Sequence, residues 1–220
     1  MVNVVVLSGE LFDAIEVNAA RTGNHKRAAV RMSRLAAQAT PSGISRAEAH
    51  MRAGEQLLLA DDPAEAVEQF EKAIADRGAT SDDPRVPMAR AMFALGRTED
   101  ADALLREVRE SGARSQPRTC DLVAELLTEQ GDLPAALDWA TAGVEAILKS
   151  GEDRDELQLL LRLRYRLRVD LGMPEDDYDK MLDNNKKAGP AAGNEHPASR
   201  TGPRELSERS SRPVRNPDPA

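Results

Sequence analysis

The stretch ADDPAEAVEQFEKAI, residues 60–74, returns in altered form as LGRTEDADALLREV at residues 95–108 and as QGDLPAALDWATAG at residues 130–143. Ala66, Ala101 and Ala136 fall 35 residues apart, and a turn residue stands five positions before each of them: Asp61, Gly96 and Gly131. A fixed period of this length is typical of one supersecondary unit stacked on copies of itself. The sequence therefore predicts a helical repeat architecture, with the three alanines at packing positions.

Local signals divide each repeat into two helices. Ser45 and Glu48 form a capping-box pattern ahead of an apolar run, and Asp61-Asp62-Pro63 ends one helix and begins the next. The run DELQLLLRLRYRLRVDLG, residues 155–172, alternates apolar and basic residues in its second half, as a strand also would. Its length and the absence of a strand to pair with favour a helix, which would cap the last open face of the solenoid.

Composition limits the class of protein. Only 3% of the residues are aromatic, so thin layers of Ala and Leu between helices fit better than a deep enzyme core. The net charge is −8, of which residues 184–220 contribute +3 and residues 1–183 contribute −11. An acidic body repels phosphates and argues against a chain that wraps nucleic acid. No run reaches the roughly 20 apolar residues of a membrane span, and the start MVNVVVL lacks a basic leader, so we expect no signal peptide and a soluble cytoplasmic protein.

The sequence predicts three segments. Residues 1–44 form an N-terminal extension for which three interpretations stay open: a degenerate helix pair, a flexible arm, or a chain whose true start is Met32. Residues 19–40 contain five Lys or Arg residues and no acid, which makes a basic arm. Residues 45–182 hold the solenoid and its capping helix. Residues 183–220 are rich in Pro, Gly, Ser and Arg and are predicted to be disordered.

Small residues recur at two positions of each repeat, namely Gly54 with Ala66, Ala89 with Ala101 and Ala124 with Ala136. Larger apolar residues recur at two others, such as Leu57 with Phe70 and Met92 with Leu105. In this pattern the chain resembles tetratricopeptide repeats (TPR) over about residues 47–149, and the resemblance implies that the small residues stand where the two helices of a unit cross and the larger ones between them. The segments ELLTEQGDLPAAL (125–137) and RVDLGMPED (168–176) are also similar to small TPR proteins of high-GC Gram-positive bacteria. The resemblance implies an all-α, right-handed α-solenoid of about three helix pairs closed by a C-terminal capping helix.

The resemblance also implies a function, a protein–protein interaction made through a concave surface that the first helix of each repeat lines. Chaperone-binding members of the family hold a carboxylate there with Lys and Asn, whereas this chain offers acids, so that clamp is not expected. An acidic and partly apolar surface suits a basic and partly apolar peptide or helix of an unknown partner protein. The candidate partner-binding residues are Met51, Glu55, Leu58, Arg90, Phe93, Asp121, Glu125 and Thr128.

Signals for catalysis are missing from the sequence. The three histidines (His25, His50 and His196) are far apart, and neither a phosphate-binding Gly-rich loop nor a nucleophile elbow occurs, so we expect no enzyme, no metal site and no cofactor. The alternative function is nucleic-acid or ribosome association through the basic arm, the run Arg162–Arg168 and the tail. Trp139, the only tryptophan, has two interpretations: it packs under the capping helix near Leu160 or Tyr165, or it anchors a partner.

Overall fold

The computed structural model describes residues 8–38, 43–151 and 154–182, and the segment predicted to be disordered, 183–220, lies outside them. Within these ranges every regular element is a helix. They are α1 (Gly9–Thr22), α2 (His25–Gln38), α3 (Arg46–Leu59), α4 (Pro63–Asp76), α5 (Arg85–Ala94), α6 (Thr98–Glu110), α7 (Pro117–Glu129), α8 (Leu133–Ser150), α9 (Arg154–Asp170) and α10 (Asp177–Lys180). A short 3₁₀ turn, Ala113–Ser115, precedes α7.

Each helix packs mainly against its neighbours in the chain, so the helices form consecutive pairs. α3 contacts both α2 and α4, α4 contacts α5, and α8 lies between α7 and α9. The predicted all-α solenoid of stacked helices is confirmed, and α9 is a helix rather than a strand. The sequence repeats correspond to α3/α4, α5/α6 and α7/α8, and the structure adds a fourth pair, α1/α2, in front of them.

One repeat position sets the turn inside each of the three predicted units. Asp61, Gly96 and Gly131 have φ angles of 57°, 72° and 81°, all in the left-handed region. Glycine adopts this conformation without a steric penalty, and Asp is one of the few other residues that tolerate it. The turn residues singled out by the 35-residue period therefore share one backbone conformation.

Small residues allow the helices of a pair to approach closely. Ala66, Ala101 and Ala136 are fully buried. A Cβ atom on Gly143 would lie 2.9 Å from Cβ of Cys120 in α7 and 2.9 Å from Cδ1 of Leu160 in α9. The third repeat lacks a larger residue at this position because α9 fills the space.

The N-terminal pair, for which a helix pair and a flexible arm were both open, is helical over residues 9–38. Phe12 and Met32 are fully buried between its helices and the rest of the core. Nδ1 of His25 in α2 lies 2.9 Å from Oε1 of Gln56 in α3, and Oγ of Ser33 donates to Oε1 of Gln69 in α4 at 2.8 Å. Two hydrogen bonds between side chains thus join the N-terminal pair to the next one.

The C-terminal end is closed by an ion-pair network that we call the clasp: Arg164 and Arg168 of α9 with Asp176 and Asp179. Arg164 lies 2.8 Å from Oδ1 of Asp179 and 2.5 Å from Oδ2 of Asp176, while Nε of Arg168 lies 2.9 Å from Oδ2 of Asp179. The side chains of Arg164 and Asp179 are only 4% and 1% exposed. The basic run of α9 therefore points partly inward, where its guanidinium groups bind the segment that leads into α10.

Trp139 is 2% exposed, so the hypothesis that it anchors a partner is wrong. The ring belongs to the main core and not to the separate cluster that contains Leu160 and Tyr165. The guanidinium carbons of Arg109 and Arg114 lie 5.2 and 5.5 Å from the ring centroid, and both arginines pair with Asp138. The aromatic face is thus covered by cations from α6 and from the 3₁₀ turn.

Candidate functional site: the groove along the first helices

A groove of about 660 Å³ runs along the first helices of the four pairs. Residues of α1, α3, α5 and α7 line it, together with the loop that leads into α5. The lining residues are Glu16, Glu48, Arg52, Glu55, Gln56, Leu58, Leu59, Ser81, Asp82, Val86, Pro87, Arg90, Arg118 and Leu122. A depression therefore lies along the first helices of the pairs, the elements to which the resemblance assigned partner binding.

Apolar side chains form part of its wall. Leu58, Leu59, Val86, Pro87 and Leu122 come from three different helices and face the groove. Leu59 is 64% exposed, which leaves a large aliphatic side chain in contact with solvent at the edge of the groove. Covering such a side chain on binding is favourable at about 25 cal/mol per Å² of apolar area.

The arginines that line the groove are already paired within the chain. Arg52 contacts Asp13 at 2.7 Å and Glu16 at 3.1 Å, both on α1. Arg90 Nη2 lies 3.1 Å from Oε1 of Glu129, although its buried Nε has no hydrogen-bond partner. Most of their positive charge is thus neutralised by neighbouring carboxylates.

Two further contacts hold the loop before α5 in place. Ser45 caps α3 by accepting a hydrogen bond from the Glu48 amide at 2.9 Å, as predicted. The Glu48 carboxylate does not complete the capping box with the Ser45 amide. It accepts a hydrogen bond from the Ser81 amide at 2.8 Å instead. Asp82 pairs with Nε of Arg118 in α7 at 3.3 Å. The loop is therefore attached to both sides of the groove.

Glu55 differs from the other charged groups of the groove. It is half-buried, and within the described ranges it forms no hydrogen bond or ion pair. Burial raises the pKa of its carboxyl to about 7, with smaller contributions in the same direction from Asp82, Glu16 and Glu48, opposed by Arg52. A carboxyl group in these surroundings gains most from a positively charged neighbour.

Three of the residues predicted to bind a partner come together in the groove: Glu55, Leu58 and Arg90. Met51 does not, because its side chain is 1% exposed and belongs to the core. The other four lie outside the groove lining. Phe93 is half-buried against the core, Asp121 pairs with Arg118 at 3.4 Å, Glu125 is exposed, and Thr128 donates to the Ala124 carbonyl at 2.7 Å.

The difference comes from the choice of helix face, because a shift of one residue turns the stripe by about 100°. Arg52, Pro87 and Leu122 occupy one repeat position, 35 residues apart, and all three line the groove. The predicted stripe took the position before it, where Met51 is buried in the core and Asp121 pairs with Arg118, while Val86 at the same position does line the groove. The 35-residue period would have identified Arg52, Pro87 and Leu122 if the stripe had been started one residue later.

The residues considered for nucleic-acid binding or for catalysis are buried or form contacts within the chain. Arg164 and Arg168 belong to the clasp, so half of the arginines in the run Arg162–Arg168 are not available to phosphates. Nδ1 of His50 lies 2.9 Å from Oε1 of Gln69. Cys120 is fully buried, and burial raises the pKa of its thiol to about 11.

Two absences hold for the described part of the chain. No group of His, Cys, Asp and Glu residues there has an arrangement that could hold a metal ion. Likewise, none of the helices in residues 8–38, 43–151 and 154–182 has the length and apolar character needed to cross a membrane.

Comparison with known proteins gives one match. A family model described as tetratricopeptide repeat matches residues 57–126, which extend from the end of α3 into α7. No curated protein and no solved structure matches the chain. The family match and the stacked helix pairs agree on tetratricopeptide-type repeats in this part of the chain. The similarity to proteins of high-GC Gram-positive bacteria stays a prediction.

Proposed function

We propose that this TPR-type solenoid is a non-catalytic interaction module that binds a peptide or helix of a partner protein in the groove along α1, α3, α5 and α7. The observation that carries the proposal is the groove of about 660 Å³ itself, lined by the first helices of all four pairs. TPR repeats are in general modules of protein–protein interaction, and an elongated depression between stacked helices suits an extended or helical segment.

The composition of the wall defines the partner segment. Aliphatic side chains such as Leu58, Leu59 and Leu122 favour apolar contacts, while the arginines are neutralised by acids of the same chain. Glu55 is left without a partner inside the described ranges. A segment that carries one Lys or Arg beside apolar side chains would pair with Glu55 and cover Leu59 at the same time.

Peptide selection followed by matched variants tests this proposal. Peptides selected from a random display library on the wild-type chain should be enriched in Lys or Arg next to Leu, Ile or Phe. Their affinity should fall about tenfold, or 1.4 kcal/mol, in Leu59→Asp. The matched control is Leu159→Asp on α9, because Leu159 is 58% exposed and does not line the groove.

The charge requirement is tested separately. Glu55→Gln should weaken binding of the selected peptides, whereas Glu125→Gln, at the same repeat position on α7 but outside the groove lining, should not. Peptides that bind Leu59→Asp and Glu55→Gln as tightly as the wild type would show that the groove is not the binding site. Selection of predominantly acidic peptides would contradict the proposed partner chemistry.

A further inference from the structure

A second depression lies at the opposite end of the chain from the clasp, between α1 and α2. It has a volume of about 360 Å³. Its buried lining residues are Ile15, Ala19 and Ala28, and its remaining lining residues are Asn18, Asn24, Arg27 and Arg31. Not one acidic side chain lines it, which sets it apart from the groove. We refer to it as the α1–α2 pocket.

The arginines of this pocket have no ion-pair partner among the residues that the structure describes. Many other arginines of the described residues form ion pairs with carboxylates. They include Arg52, Arg85, Arg90, Arg97, Arg109, Arg114, Arg118, Arg164 and Arg168. Arg27 and Arg31 are exposed and form no ion pair or hydrogen bond within the described ranges, and the same holds for Arg34 one turn further along α2. Arg27, Arg31 and Arg34 therefore form a cluster of guanidinium groups without an ion pair inside the described ranges.

Helix geometry aligns them. Arg27, Arg31 and Arg34 stand at positions i, i+4 and i+7 of α2, so they share one face with a rise of about 6 Å between the first two. Each guanidinium presents five N–H donors and no acceptor, and the Asn side chains add further amide donors. The pocket therefore offers several hydrogen-bond donors to an acceptor with negative charge.

We propose that the α1–α2 pocket binds an acidic segment of a partner protein, with carboxylates one helical turn apart pairing with Arg27 and Arg31. Arginine pairs with carboxylates in a bidentate geometry, which gives both strength and orientation. Val30 is also on α2 and is 48% exposed, although it does not line the pocket, so the helix presents one aliphatic side chain beside the arginines. The site is separate from the groove and takes a ligand of opposite charge.

The surrounding charge favours a short acidic segment over nucleic acid. Lys26, the basic residue next to Arg27, is already bound by Asp62 and Glu65 at 2.5 and 3.0 Å. Residues 1–183 carry a net charge of −11. A long polyanion would extend beyond the three free arginines onto this acidic body and be repelled, since each further phosphate needs its own cation to bind.

Fluorescence anisotropy with a labelled synthetic peptide tests the inference. The probe is a helical peptide of about four turns, with Glu at i, i+4 and i+7 and Leu between them; a second peptide has Lys in place of each Glu. The acidic peptide should bind the wild-type chain and the Lys peptide should not. Affinity for the acidic peptide should fall about tenfold in the double variant Arg27→Glu/Arg31→Glu, because the charge is reversed at two charge-assisted contacts.

The matched control is Arg106→Glu/Arg166→Glu, which reverses two exposed arginines on α6 and α9 and should change the affinity less than twofold. Circular dichroism checks the fold of both variants, and Arg27→Gln/Arg31→Gln serves if the charge reversal disturbs it. Equal loss in the two double variants, or no loss in either, would overturn the proposal. Tighter binding of a single-stranded oligonucleotide that is lost in Arg27→Glu/Arg31→Glu would overturn it in favour of nucleic acid.

Discussion

Gly54 and Phe70 fix the distance between α3 and α4. A Cβ atom on Gly54 would lie 2.5 Å from Cε1 of Phe70, a separation that carbon atoms do not adopt without a contact being relieved. Phe70 is fully buried in the main core, so its ring has little space to move. The crossing of the two helices thus requires a residue without a side chain at position 54.

Gly54→Ala should lower the free energy of unfolding by about 1–3 kcal/mol, the cost of overpacking a filled core. Urea denaturation measures the change. Gly9→Ala is the control, because a Cβ atom at Gly9 would meet nothing within 4 Å. Equal midpoints for Gly54→Ala and the wild type would mean that α3 and α4 separate easily.

Asp61→Gly should raise the free energy of unfolding by about 0.5–1 kcal/mol. Asp61 has a φ angle of 57°, where a residue with a side chain has a penalty of about 1–2 kcal/mol. The greater freedom of glycine in the unfolded chain offsets part of this gain. Gly131→Asp, at the same repeat position, should have the opposite effect in the same thermal or urea titration; effects of the same sign would contradict the shared turn geometry.

Arg164→Met should lower the free energy of unfolding by about 3–5 kcal/mol, because it leaves the buried Asp179 with one of its two cations removed. Arg166→Met is the matched control. Arg166 is exposed two residues along the same helix, and surface changes of this kind stay within about 0.5 kcal/mol. Similar losses in both variants would show that the charge of α9, and not the clasp, stabilises this end.

Glu55→Gln should change how stability depends on pH. The carboxyl of Glu55 has a pKa raised from 4.5 to about 7, so the folded state holds a proton that the unfolded chain releases. The wild type should therefore lose stability as pH rises from about 4.5 to 7. Melting temperatures at pH 5 and pH 8 should differ less in Glu55→Gln than in the wild type or in Glu125→Gln; an unchanged difference would contradict the effect of burial on Glu55.

The helix pairs and their turns could be predicted from short-range patterns in the sequence. Asp61, Gly96 and Gly131 mark turns, and Ala66, Ala101 and Ala136 mark crossings, because both depend on local backbone shape and side-chain size. The N-terminal pair keeps one part of this register, since the buried Ala19 stands 35 residues before Gly54. Its second helix begins at His25, whereas the 35-residue period counted back from Pro63 predicts a start three residues later. This shift made the repeat difficult to recognise in the sequence.

The groove was harder to predict because it depends on the rotation of each helix. A stripe beginning at Met51 and one beginning at Arg52 differ by about 100° around an α-helix, and both contain polar and apolar residues. Packing of α3 against α2 and α4 decides between them, and this information is not local. The same holds for Arg164 and Arg168, whose burial depends on acids that arrive more than ten residues later.

The clasp also restricts where a further repeat can be inserted into this chain. Repeat proteins lengthen by duplication of a unit, and one more 35-residue unit inserted after Gly96 would reproduce an interface that the chain already contains. Insertion after Gly172 would separate Arg164 and Arg168 from Asp176 and Asp179 and leave two guanidinium groups buried without carboxylates. The clasp therefore restricts one insertion point: a unit placed between α9 and α10 would separate its four residues, whereas a unit placed after Gly96 would leave them in contact.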